Sequence, residues 1–420
     1  MRFSAIFLGV IASGFLSTTQ ANSFIDDSSV NLTARNFYFD RAYTQDASGK
    51  DQKDWAQGFI FKANSGYTPG TLGLGLDIMA LAGFNLLGSD ADDYAASGLL
   101  PTSPSGKADQ YGEIRWTAKA KVGKSTLHGG TLAPMFPVLF SSPARLFQQN
   151  YRGTHLQINE VDNLKIHALY VDRVNQRDST DYEKIKVGNP NKRFKNAESS
   201  GLHLLGAEYK FSDQISAQLF HANLHDVYHQ NFIGAKSKHD IGIGHLLGDV
   251  RLFVSEDSGQ ARAGHIENQH LSGIFGLNRN NHTFSLGYMQ SFGDTALPTL
   301  AGSEPAVFLD SMSADFTNIN EKVYHARYDY DFKDTSLKGL KFMTRYSKGD
   351  DIEIRNTDNQ TFEQDALDFE LSYRVPTGKL EGLNIRTRYS RYRNDIPPVG
   401  MAFKSDDEMR VNIDYTWKFK

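Results

Sequence analysis

The segment Leu383-Asn384-Ile385-Arg386-Thr387-Arg388-Tyr389-Ser390 carries two guanidinium groups two residues apart. In an extended chain successive side chains leave opposite faces, so Arg386 and Arg388 share one face and Leu383, Ile385, Thr387 and Tyr389 the other. The same alternation separates Arg345, in register with Lys341, from Leu340, Phe342, Thr344 and Tyr346. Arg327 stands opposite Tyr328 and Tyr330, with Asp329 and Asp331 in its own register, and Lys119 and Lys121 oppose Trp116, Ala118, Ala120 and Val122. Arg35 opposes Leu32, Ala34, Asn36 and Tyr38 less cleanly, because Phe37 and Phe39 share its face. A guanidinium holds a carboxylate through two parallel hydrogen bonds. A row of them along a narrow aqueous wall would pass carboxylates from site to site. The competing expectation is that these groups pair with neighbouring Asp and Glu and only solvate the wall.

Enzyme signals are poor. The chain has no G-x-S-x-G, no H-E-x-x-H and no phosphate-binding glycine loop. His221, His225 and His229 are spaced by four, which aligns them on a helix or a strand. As neutral imidazoles they would suit a metal, but a strand running into a loop explains the same spacing, and no metal or other cofactor is expected. A Ser–His pair is a spatial arrangement without a sequence signature, so a hydrolase is the alternative from a different class, together with a purely structural adhesin barrel.

The elements that carry these residues show in the last ten. Val411, Ile413, Tyr415, Trp417 and Phe419 point one way, and Asn412, Asp414, Thr416, Lys418 and Lys420 the other. So aromatic a strand at an open sheet edge invites aggregation. With its apolar face in lipid and its polar face in water it becomes a transmembrane barrel strand. An Arg on the lipid side at the bilayer midplane costs about 2–4 kcal/mol, which turns Arg386, Arg388 and Arg345 inward.

At the other end, Arg2, the apolar run Ala5–Leu16 and the small-x-small Thr19-Gln20-Ala21 form a secretory signal. The run is shorter than a membrane span requires. Residues 1–21 are therefore expected to be removed and residues 22–420 to form one outer-membrane barrel of a Gram-negative bacterium. The 420 residues include no cysteine, so an exported fold must rest on a large core or a closed sheet. Mean hydropathy is −0.46, and after the leader no long apolar run occurs, which excludes a helical membrane protein. A net charge of −4 with no basic block gives no reason to expect nucleic acid.

Ser65–Thr71, Asn278–Asn281 and Pro376–Gly378 are turns, whereas Gly88–Asp109, Arg177–Ser200, Gly293–Asn320 and Gly349–Gln364 are long polar stretches. Short turns on one side and long loops on the other are the outer-membrane pattern. At roughly 20 residues per strand and its connections, the chain suggests an all-β, antiparallel barrel of about 18 strands. The first strand, Val30–Phe39, leaves no room for a plug domain. Leu132–Pro143 carries three prolines among apolar residues, including Pro134, Phe136 and Pro137, and is expected to fold into the lumen and narrow it, with Arg145 just beyond.

Several segments resemble the OprD-type family of substrate-specific outer-membrane porins. Phe24–Ser28 followed by Arg35–Arg41 resembles its opening, as do Trp55–Ile60, Ser65–Thr68 and Gly75–Asp77. Gly130–Pro134, Pro137–Leu139, Arg145-Leu146 and Tyr151–Gly153 are similar to its inward third loop, and Arg327–Phe332 and Gly339–Tyr346 to its late strands. The likeness runs in order from about residue 24 to 395, and the terminal Lys420 after Phe419 is one departure. The resemblance implies an 18-stranded barrel with a narrow eyelet, selective for small carboxylates, in which lumenal arginines face acidic or hydroxyl groups from inward loops. Glu304, Asp310 and Asp315 lie in the stretch that corresponds to the other inward loop, as an acidic wall or as ordinary solvated residues. Expected solutes are aromatic or other monocarboxylates such as benzoate, with basic amino acids or dipeptides as the alternative. Chito-oligosaccharides would want a greasy slide, and Trp55, Trp116 and Trp417 are the only tryptophans. A monomer or loose trimer embedded in outer-membrane lipid completes the expectation.

Overall fold

The computed structural model describes residues 23–44, 50–189, 193–309, 311–354, 360–397 and 404–420. The leader and Asp310 lie outside the described residues. Eighteen long strands form one antiparallel sheet. They are β1 (Ser29–Tyr43), β2 (Gln52–Asn64), β3 (Leu72–Asn85), β4 (Gln110–Val122), β5 (Ser125–Leu132), β6 (Asn150–Ile158), β7 (Leu164–Asn175), β8 (Leu202–Lys210) and β9 (Ile215–Leu224). Then follow β10 (Tyr228–Asp240), β11 (His245–Asp257), β12 (Glu267–Arg279), β13 (His282–Phe292), β14 (Lys322–Asp331), β15 (Leu340–Glu353), β16 (Thr361–Arg374), β17 (Asn384–Asn394) and β18 (Asp406–Lys418). Each pairs with the next, and β1 pairs with β18 through Arg35 opposite Asp414, which closes the barrel. Closure leaves no unpaired edge to lipid.

The expected period of two holds through the wall. On β18, Met409, Ile413 and Trp417 are exposed on the outside, whereas Arg410 and Asn412 are buried in the lumen. Turns on one rim are tight: Gly123 (φ +58°) joins β4 to β5, and Asn280 (φ +54°) joins β12 to β13. Positive φ matches the twist that a two-residue hairpin requires. The opposite rim carries the connections 86–109, 133–149, 176–201 and 293–321. Two boundaries differ from the sequence expectation. The first strand runs past Phe39 to Tyr43, and both described ends of Gly349–Gln364 are strand, since β15 continues to Glu353 through a bulge after Gly349 and β16 starts at Thr361. A bulge interrupts the alternation, so the pattern there looks like loop.

The lumen is filled unevenly. Apolar residues of the 133–149 and 293–321 loops, among them Phe136, Leu139, Leu297 and Leu300, join Tyr151, Leu169, Phe220, Phe232 and Phe253 of the wall in one buried cluster. That packing occupies the β6–β11 side. The sector from β14 through β18 to β1 borders the space that stays open.

Candidate functional site

The open sector is a cavity of about 1260 Å³. Twelve Arg and Lys residues line it, against six Asp and Glu. Arg35, Arg327, Lys341, Arg345, Arg386 and Arg388, from four different strands, all reach it, as does Arg145 from the 133–149 loop. Lys119 and Lys121 lie elsewhere, beside Tyr67, with Lys119 paired to Asp77 at 2.6 Å.

Their partners divide the group. Arg35 meets Asp414 at 2.7 Å and donates to the Arg145 carbonyl at 3.2 Å. Arg327 grips Asp329 with two bonds of 2.7 Å, Arg345 meets Asp368 at 2.7 Å, Lys341 lies 3.3 Å from Asp331, and Arg386 pairs with Glu370. These are wall pairs. Arg388 instead donates to the Asn412 amide oxygen at 2.9 Å, with no carboxylate within 4 Å among the described residues, and its Nε is buried without a partner. Arg145 donates only to carbonyls, Ser97 at 2.7 Å and Ala144 at 3.1 Å. Burial pushes the Arg145 guanidinium well below its ordinary range, and Arg410 and Arg177 push it further. An arginine does not give up its proton in a protein, so Arg145 keeps its positive charge, with no carboxylate within 4 Å among the described residues.

Five basic members of the cluster escaped the sequence reading: Arg41, Arg177, Arg251, Lys333 and Arg410. Arg410 follows from extending the terminal alternation one step upstream. Arg41 sits two residues beyond Phe39, past the end that the sequence pattern gives the first strand. On β11, Phe253 shares the inner face with Arg251 and masks the period. Arg177 is on a loop, where no periodicity applies; it lies 3.1 Å from the Ser142 hydroxyl and 3.9 Å from Glu304. Burial lowers it, partly offset by Glu304.

The aromatic residues that blurred the pattern around Arg35 have a purpose here. Phe39 is fully buried, with the guanidiniums of Arg145, Arg410 and Arg41 at 5.1, 5.4 and 5.5 Å from its ring centre. A π-face attracts cations without neutralising them. It therefore supports three positive groups and leaves their charge available. Glu408, fully buried, pairs with both Arg410 and Arg41.

The narrowing loop presents Phe140, Pro143, Ala144 and Arg145 to the cavity. Pro134, Phe136 and Pro137 do not line it. Phe136 turns away, its ring 4.8 Å from His167 and 5.2 Å from Phe220, because an apolar ring gains more from the wall than from water. Glu304 and Asp315 line the cavity, yet both are engaged: Glu304 accepts from the Ser142 hydroxyl at 2.8 Å, and Asp315 accepts from Arg193 at 3.1 and 3.2 Å. The two inward loops also hold each other through Ser303 Oγ donating to the Phe140 carbonyl at 2.8 Å. Arg410 donates to the Met312 carbonyl at 2.8 Å, and Ser313 to Asp406 at 2.8 Å, so the 293–321 loop is tied to β18. The histidines spaced by four do not assemble: His221 and His229 lie 6.0 Å apart, and His225 turns to Asp226.

A model of the outer membrane porin, OprD family, matches residues 22–419. The chain belongs to the OprD family. It is 29% identical to Porin D of Pseudomonas aeruginosa over 446 residues, covering 99% of this chain and 98% of that protein. The crystal structure of Acinetobacter baumannii OccAB3 superposes with a TM-score of 0.92 at 50% identity, covering 94% of this chain and all of the other. That of Pseudomonas aeruginosa OpdK with vanillate gives a TM-score of 0.86 at 32% identity, with the same coverage. This OprD-family chain is a substrate-specific porin of the Gram-negative outer membrane, and the expected 18-stranded fold is borne out.

Proposed function

We propose that this porin conducts small carboxylates with compact apolar bodies, aromatic monocarboxylates foremost, by passive diffusion. The observation that carries the proposal is the pair Arg145 and Arg388: half-buried, lining one cavity, and without a carboxylate partner among the described residues. An anionic headgroup offers them the charge-assisted bonds that the wall does not supply. Phe140, Pro143, Val307 and Leu309 on the loop side of the same cavity suit an apolar body. The vanillate complex of OpdK, a 32% identical structure, supports the same class. Basic amino acids are less well served, because Glu304 and Asp315 already hold internal partners. The lumen is complete in one chain, so a monomer suffices and a loose trimer leaves it unchanged. Export with cleavage after Ala21 completes the proposal. Planar-bilayer currents test it. Benzoate-class anions should carry or block current at concentrations where arginine does neither, and the reverse order would refute the assignment.

A further inference from the structure

Outside the lumen, at the long-loop rim, His265, Glu267 and Asp294 bring one imidazole nitrogen and two carboxylate oxygens within 4.8 Å of one another. Among the described residues no other group of three metal-binding side chains does so. We propose that these three residues bind one divalent transition-metal ion of the zinc type, with the remaining positions open to water.

Two features distinguish this group from a chance gathering of charges. First, the imidazole is oriented from behind. The Asp257 carboxylate accepts from His265 Nδ1 at 3.0 Å and is itself held by the Ile266 amide at 3.2 Å. With its proton on Nδ1, the ring turns the Nε2 lone pair towards Glu267 Oε2 at 3.7 Å and Asp294 Oδ2 at 3.8 Å. A carboxylate behind a ligating histidine is the usual second layer of a metal site. The Nε2–oxygen separations exceed a hydrogen bond and are of the size that two ligands about 2.0–2.2 Å from one metal ion span.

Second, the two carboxylate-bearing backbones are locked together. Buried Thr295, next to Asp294, gives its amide to the Glu267 carbonyl at 3.1 Å, and its hydroxyl accepts from the Glu267 amide at 3.1 Å. Gly293 has φ +98°, and a Cβ there would stand 2.7 Å from the Glu267 carbonyl oxygen. The approach thus needs glycine. The chemistry selects the metal: imidazole suits zinc, copper, iron or nickel, whereas calcium and magnesium prefer all-oxygen sets.

The test uses the full barrel in detergent, stripped with a chelator and titrated calorimetrically with zinc chloride. One equivalent should bind, and tenfold excess calcium should not displace it. His265→Ala and Glu267→Gln should abolish that equivalent, and Asp257→Asn should weaken it by about 10–100-fold. Cobalt(II) should give a visible absorption band that His265→Ala removes. The substituted side chains are solvent-exposed, so heat-modifiable migration in SDS and single-channel conductance should match the wild type, which separates this result from failure of the porin assignment. Absence of the zinc equivalent in the wild type, its persistence in folded His265→Ala, or its displacement by calcium would each overturn the proposal.

Discussion

Arg388 and Arg410 stand directly opposite each other across β17 and β18, both turned into the lumen. Like charges facing across a sheet destabilise it by a few tenths to about 1 kcal/mol. Glu408 compensates Arg410 and also serves Arg41, while Arg388 has only the Asn412 amide. Asp406 adds a second carboxylate, 3.4 Å from Arg41, so two carboxylates stand among three guanidiniums and neither pairs with Arg388. The wall has kept positive charge that folding alone does not favour, and an anion entering the cavity meets it.

Arg388→Gln removes the repulsion and one anion contact together. A charge-assisted bond contributes roughly 1.5–3 kcal/mol, so benzoate-class flux should fall by about an order of magnitude or more while the unfolding midpoint holds or rises. Arg386→Ala should act differently, because it strands Glu370 in the lumen. Its signature is a larger swing of ion preference towards cations, and the Arg386→Ala/Arg388→Ala pair should show both effects at normal surface abundance. Reversal potentials in a salt gradient, read beside heat-modifiable migration, separate these outcomes. Equal flux and unchanged ion preference in the pair would reduce the arginines to wall solvation.

The narrowing loop is held by packing on one side and by hydrogen bonds on the other. Deleting Met135–Ser142 removes the Phe136 wedge against His167 and Phe220, and also the Ser142 contact with Glu304. Conductance should rise and selectivity among carboxylates should blunt. Single-channel recording of a folded deletion checks this, and unchanged conductance would mean that the other inward loop alone sets the eyelet.

The inward direction of Arg345, Arg386 and Arg388 was legible because lipid forbids the alternative, and a strict period of two leaves no other choice. What sequence could not supply was the pairing. Asp368 and Glu370 lie on a neighbouring strand, and their meeting with Arg345 and Arg386 depends on register, which is a property of two strands at once. The loop residues were harder still. Proline and apolar content marked 132–143 as inward-folding, but which side chains face water was decided by the wall it met, so Phe136 turned away while Arg145 faced the cavity. Arg177 left no signal, since a loop arginine acquires a role only from the fold around it.

Arg193 pins the 293–321 loop to the neighbouring 176–201 loop. It donates to both oxygens of Asp315, to Thr317 Oγ1 at 3.3 Å and to Asn318 Oδ1 at 2.6 Å, and is itself nearly buried. Removing one partner of a buried pair costs about 3–5 kcal/mol, because the other charge is left unpaired. Arg193→Ala should therefore loosen the loop without unfolding the barrel, whose ladder it does not touch. Larger current noise and faster proteolysis within 293–321 are the expected readouts. Arg193→Lys should restore only part of the native behaviour, since an ammonium cannot reproduce the two-pronged grip.

Glu321 closes the same loop and makes its docking depend on pH. It is buried, accepts at one oxygen from Gln364 Nε2 at 2.6 Å, and at the other from the Asn318 amide and side chain at 2.9 Å each. Gly349, having no side chain, makes room for this carboxylate, since a Cβ there would stand 2.1 Å from Oε1. Burial pushes the Glu321 carboxyl up from 4.5 to about 7; the hydrogen bonds oppose that shift, and nearby Asp315 adds to it. A carboxyl raised in the folded state binds its proton more tightly there than in the unfolded chain. Its contribution is therefore fully present below pH 4.5 and is lost as pH rises through about 7. Glu321→Gln, which holds the neutral form at every pH, should remove this dependence. The difference between variant and wild-type unfolding midpoints should grow in favour of the variant from pH 4.5 to 7 and level off above, over the window bounded by those two values. A difference that stays flat across that window would show that Glu321 is ionised throughout, with its three donors outweighing the cost of burial.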